Sequence, residues 1–170
     1  MSRAAVVISI DGFSAALFHD PSVRIPTLRA LAARGVAAAG LRPAFPSVTW
    51  PCHTTLVTGV APARHGILGN EVLDRETGMV VRHEGDPTDA PIRAETLWDA
   101  AAAAGRSTAT LCWPKTRGVG SIRDNVPEFL DQARAELLDQ LDVAPTAAAC
   151  LGLTLSTAER TPAPAVLRRP

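Results

Sequence analysis

Apolar and polar positions alternate along this chain with two different periods. "AAVVISIDG" (4–12) is a short, nearly continuous apolar run that stops at Asp-Gly, the pattern of a buried parallel strand whose last residue points into a crevice. "IPTLRALAARG" then repeats Ile25, Leu28, Leu31 and Ala32 at helical spacing, with Thr27 as candidate cap and Gly35 as stop. "VAAAGLRPAF" reads as a weaker strand. "PCHTTLVTG" predicts a short helix from about Pro51, closed by Gly59. "EVLDRETGMVVRH" predicts a β-hairpin turning near Glu76–Gly78. "AETLWDAAAAAG" is a further helix ended by glycine, "STATLCW" a further buried strand, and "PEFLDQARAELLDQL" an amphipathic helix.

Strands alternating with helices predict an α/β fold: a mostly parallel sheet with helices on both faces. Ligands in such folds sit beyond the carboxyl ends of the strands. Asp11, Trp113 and the loop before Thr49 are expected there. The stretch from 143 onward, "VAPTAAACLGLTLSTAERTPAPAVLRRP", shifts to low complexity and finishes in Pro, Ala and Arg. The expected division is therefore a catalytic-type α/β portion over 1–142 and an atypical, poorly ordered tail over 143–170.

Composition narrows the function classes. The chain has 170 residues, 46% of them apolar, and only 4% aromatic, so its core must come from Ala, Val, Leu and Ile. Seventeen basic residues balance seventeen acidic ones. That leaves no broad electrostatic footprint for a nucleic acid polymer or an anionic membrane. No run reaches the length of a membrane span, and Asp11 interrupts the first apolar run. Cys52, Cys112 and Cys150 are an odd number without close pairing, which leads to the expectation of a reduced, cytoplasmic protein.

Three residues are candidates for chemistry. Asp11 is either an Asp-Gly turn residue or a carboxylate ligand for a divalent metal. Thr49, in "FPSVTWPCHTTLVTG", reads as a helix N-cap and also as a reacting hydroxyl. Backbone N–H groups and the positive end of the helix dipole favour an anion or an alkoxide at that place. A hydroxyl is a poor nucleophile alone, and no histidine is visibly poised as its base, so a metal is the better activator. Asn70 is either a turn residue after Gly69 or an amide donor to a developing oxyanion. His53 and His65 read as structural hydrogen-bonding residues, and His19 and His83 have no supporting pattern.

The segments "ISIDGF", "PSVTWPCHTTLVTG", "ARHGILGNEV", "ETLWDAA" and "TLCWPKTRG...NVPEF" occur in an order and spacing that resembles the type I phosphodiesterase/nucleotide pyrophosphatase family, within the alkaline phosphatase superfamily. The resemblance covers about Ala4 to Phe129. It implies an alkaline-phosphatase-like core and two zinc ions that hydrolyse phosphodiester and pyrophosphate bonds of nucleotide-type small molecules. Asp11 would bind one zinc, Thr49 would be the nucleophile on that same zinc, and Asn70 would donate to a non-bridging phosphate oxygen. Two metals about 4 Å apart can clamp both the attacking and the leaving oxygen.

The family completes its metal site with an Asp-x-x-x-His segment, an Asp-His pair and a further His downstream. No histidine follows Glu128 here, and Asp131, Asp139 and Asp142 do not match those segments. The expectation is a truncated N-terminal portion, a natural truncation or a frameshift product, with at most a partial zinc site and impaired activity. The competing expectation is a non-catalytic α/β module that binds phosphate or a protein, with oligomerisation through an unfinished sheet edge. A phosphonate hydrolase or phosphatase of the same superfamily is the third. Sulfatase chemistry is disfavoured, because a threonine stands where a modified Cys or Ser is needed and the Arg of that motif is missing.

Overall fold

The computed structural model describes residues 4–82 and 92–128. They divide into two compact units, Met1–Pro43 and Ala44–Pro170.

The first unit is built on two helices. Helix α1, Ala15–His19, is capped by the Ser14 hydroxyl, which accepts from the Leu17 N–H. Helix α2, Pro26–Arg34, starts with proline as its first residue, where a missing N–H costs nothing. Ile25 takes the N-cap place, so Thr27 lies inside the first turn and is not the expected cap. Gly35 ends the helix as expected. Arg29 ties the two helices together by donating to the carbonyls of Phe18, Asp20 and Val23.

Two expectations fail in this unit. Residues 4–10 form no strand, and Val6, at 84% exposure, stands in solvent. Residues 36–45 form no strand either. A strand exists only where a neighbouring backbone completes its ladder, however apolar the run is. Asp11 sits in the turn that follows, closed by the Phe13 N–H on the Ile10 carbonyl, with Gly12 at φ +68°.

The second unit holds two separate two-stranded sheets and a core. Helix α3 runs from Thr49 to Thr58 and ends on Gly59 in the left-handed conformation. Helix α4, Pro62–His65, has no counterpart among the predicted elements and stops at Gly66. The hairpin of β1 (Glu71–Leu73) and β2 (Val80–Arg82) forms as predicted. Its turn is held by the Asp74 carboxylate, which accepts from the Glu76 and Thr77 N–H groups.

Helix α5, Leu97–Ala103, opens on a capping box in which Thr96 and Asp99 satisfy each other's backbone N–H. Strand β3, Ala109–Trp113, pairs in parallel with β4, Asp124–Pro127. This is an α/β arrangement with a parallel sheet and helices. The core is Val57, Trp98 and Ile122, with Ile92, Trp113 and Val119 packed against it. Burying Trp98 at 4% exposure contributes on the order of 3 kcal/mol. The predicted helix over 127–141 and the tail over 143–170 lie outside the described residues, apart from Pro127 and Glu128.

Candidate functional site

Helix α3 starts two residues earlier than Pro51 suggests. Thr49 is its first helical residue, and the N-cap is Val48, whose side chain offers no acceptor. Thr49 is therefore not the cap that the sequence favours. Acceptance comes from elsewhere: the Asn70 carboxamide oxygen takes the Trp50 N–H at 2.9 Å, across 20 residues. An N–H needs an acceptor, so the oxygen faces the helix and the amide nitrogen is left as the donor end. This brings Asn70 to the first helical turn, beside Thr49.

The path that returns Asn70 to the helix is held at several points. His65 is fully buried. Its Nδ1 accepts from the Ile67 N–H at 3.1 Å, which leaves Nε2 to donate to the Thr55 hydroxyl at 3.0 Å. Burial keeps the imidazole below its ordinary pKa, and the Pro51 carbonyl works against that shift. His65 is thus a neutral crosslink between α3 and the segment leading to Asn70. His53 also makes a structural bond, donating from Nδ1 to the Thr49 carbonyl at 2.8 Å, with its ring edge-on to Trp113. Both histidines match the structural reading of the sequence.

A second layer surrounds Trp50, which is 4% exposed. Its indole N–H donates to Glu128 at 3.1 Å, and the Lys115 ammonium lies 5.6 Å from the ring centroid. That distance suits a cation–π contact. Lys115 has a φ of +61°, and Cys112 bulges from β3 at +51°. The Thr116 hydroxyl fastens this corner to the Trp113 carbonyl, and the Asn125 amide fastens it to the Thr116 carbonyl. Burial raises the Cys112 thiol pKa, and the Glu128 charge adds to the rise. None of the Trp50, Lys115 and Glu128 contacts was foreseen, since Trp50 and Glu128 stand 78 positions apart. Trp113 does fall at the carboxyl end of its strand, as expected.

Asp11 belongs to the first unit, while Thr49 and Asn70 belong to the second. Among the described residues, no group of three or more His, Cys, Asp or Glu side chains could hold a metal ion. In the second unit Thr49 opens α3 and the Asn70 amide is bonded to the backbone of the next residue, so a hydroxyl and an amide donor share one helical turn. Such a pair can polarise or bind a phosphoryl oxygen.

A sequence profile of the type I phosphodiesterase/nucleotide pyrophosphatase family matches residues 5–166. Ectonucleotide pyrophosphatase/phosphodiesterase family member 3 of Bos taurus is 32% identical over 111 residues, 64% of this chain and 13% of its own length. An uncharacterized pyrophosphatase/phosphodiesterase of Schizosaccharomyces pombe is 45% identical over 73 residues, 43% of this chain and 15% of its own. The chain thus spans 13% and 15% of these curated relatives. Among solved structures, murine ectonucleotide pyrophosphatase/phosphodiesterase 5, an inactive form in complex with AMP, superposes with a TM-score of 0.53 at 24% identity. The match covers 71% of this chain and 32% of that one, and it shows the fold.

Proposed function

The chain belongs to the type I phosphodiesterase/nucleotide pyrophosphatase family, and from that premise we propose that it carries the nucleophile-bearing part of a site that cleaves phosphodiester or nucleotide-type pyrophosphate bonds. Thr49 is the attacking group. Its oxygen forms a bond to phosphorus while the bond to the leaving oxygen breaks, and the hydroxyl proton passes to solvent or to the leaving group. Water then attacks the phosphorus of the threonine-linked ester, the bond from phosphorus to the Thr49 oxygen breaks, that oxygen regains a proton, and the phosphate product leaves with its remaining ester group. Asn70 donates from its amide nitrogen to a non-bridging oxygen as negative charge gathers there.

The observation that carries this reading is the 2.9 Å bond from the Trp50 N–H to Asn70. It holds the amide at the helix turn that Thr49 opens and leaves its nitrogen as the donor end. The relatives add support of a different kind. The solved neighbour binds AMP, and the substitution in its inactive form replaces a threonine with alanine. These features favour a nucleotide-type substrate for this chain.

Zinc is the cofactor that the family resemblance implies. Zinc takes about four protein or water donors. Asp11 and Thr49 each offer one oxygen from a different unit, and the buried imidazoles of His53 and His65 are engaged in hydrogen bonds. Among the described residues the donor set does not fit a complete zinc site. The 170 residues alone are accordingly expected to turn over slowly, because a threonine hydroxyl without a base or metal is weakly nucleophilic.

The test is hydrolysis of an aryl phosphodiester with zinc supplied, comparing the parent chain with Thr49→Ala. Slow turnover that disappears in Thr49→Ala is expected. Equal turnover in both overturns the role of Thr49. Two tightly bound zinc ions with rapid, Thr49-dependent turnover overturn the claim of an incomplete donor set.

A further inference from the structure

Asn70 can serve the site only if the chain delivers it to α3, and the residue before it is under a close steric limit. A Cβ placed on Gly69 would stand 2.7 Å from the Glu71 carbonyl oxygen, inside any real contact distance. The obstacle is backbone, so it cannot swing aside as a flexible side chain would. Glu71 is also the first residue of β1 and pairs with Arg82 across the hairpin. Upstream, Ile67 is buried and its N–H is fixed on His65. Residues 68–70 are therefore strung between two held points, and a substituent at 69 must be relieved within them.

We infer that Gly69 is a positioning residue for the site: its missing side chain is what lets Asn70 reach the first turn of α3. The inference rests on the reading of Thr49 and Asn70 given under Proposed function. The requirement is for close approach, and it differs from that at Gly66, which has φ +85° and ends α4. Relieving the clash at Gly69 needs a movement of several tenths of an ångström or more. The bond from the Trp50 N–H to Asn70 starts at 2.9 Å and weakens steeply when stretched or bent. Once it is lost, the Asn70 carboxamide rotates freely, and its nitrogen no longer has a set direction.

The experiment is backbone amide exchange at Trp50, read by NMR on the full 170-residue chain for the parent, Gly69→Ala, Asn70→Ala and the double variant. Each single variant is expected to speed Trp50 exchange on the order of ten-fold, the usual effect of losing a cap. The double variant should be no faster than either single one, because both remove the same bond. The Asp99 amide, held by Thr96, serves as the reference for intact folding. If Gly69→Ala is too unstable to read, the same comparison is made in trimethylamine N-oxide, which favours compact states. Unchanged Trp50 exchange in Gly69→Ala, or additive effects in the double variant, overturns the inference. Phosphodiester turnover is measured separately. Faster exchange with unchanged turnover upholds the placement of Asn70 by Gly69 and overturns the role of Asn70 in the reaction.

Discussion

His65 is the point at which a single substitution should loosen the candidate site. Replacing it with alanine deletes two hydrogen bonds, each contributing about 1 kcal/mol net. It also strands the Ile67 N–H, next to a side chain only 1% exposed, at a cost of about 1–3 kcal/mol. The loss should total roughly 3–5 kcal/mol before the space left by the ring is counted. Thr55→Val removes one partner only and should cost about 1 kcal/mol.

The same geometry sets a pH dependence. The folded pKa of His65 lies below its ordinary value of 6.5, so the unfolded chain takes up a proton that the folded chain refuses. The contribution is therefore fully present above pH 6.5 and lost as pH falls from there toward the folded pKa. Urea denaturation at stepped pH measures it, with a limiting slope of about 1.4 kcal/mol per pH unit for one proton. The slope attributable to His65 should disappear in His65→Ala. A parent and a variant with the same acid-side slope, or a loss below about 1 kcal/mol on substitution, would refute the crosslink.

Three further predictions follow from neighbouring contacts. Asn70→Asp keeps the acceptor for the Trp50 N–H and adds negative charge at a helix N-terminus, so its thermal stability should match the parent or rise by up to about 1 kcal/mol. The same change removes the amide donor, so any phosphodiester turnover should fall, on the order of a hundred-fold; a loss of stability equal to that of Asn70→Ala would count against the geometry. Asp99→Ala breaks the capping box and the bond from Ser121, and denaturation should show a loss of about 1–2 kcal/mol. Burial raises the Asp99 pKa, but the bonds from Ser121 and Thr96 outweigh it and leave it lowered. This part of the stability is therefore present above the ordinary 3.8 and fades as pH drops through the folded value. Cys112, with its raised pKa, should alkylate with iodoacetamide more slowly at neutral pH than a free cysteine, and Glu128→Gln should narrow the gap.

The parts of this fold that were legible in the sequence are those decided within a few residues. The hairpin turn followed from "DRETG", where Asp74 accepts from its own turn and Gly78 takes φ +71°. Glycines marked the ends of α2 and α3, and Trp113 closed its strand where an apolar run met Pro114. The failures came where a distant group decides. The run at 4–10 has the composition of a buried strand, yet strand formation depends on a neighbour that no local pattern reveals. Thr49 has the chemistry of a cap, yet the cap bond is supplied by Asn70 from 20 residues away. Thr27 lost the cap role because Pro26 suits the first helical position. Within the candidate site, Thr49 and Asn70 were identified from residue type and order, and their pairing with one helical turn is a structural finding. The grip on Trp50 by Lys115 and Glu128 had no local signal at all.

The central claim is that Thr49 forms a covalent bond to phosphorus. The direct measurement is mass spectrometry of the intact chain and its peptides, quenched in acid after brief incubation with an aryl ester of a nucleotide and zinc. The account predicts a nucleotidyl or phosphoryl adduct on the peptide containing Thr49, absent from Thr49→Ala and reduced in Asn70→Ala. An adduct mapped to another residue, or hydrolysis that persists undiminished in Thr49→Ala, would contradict it.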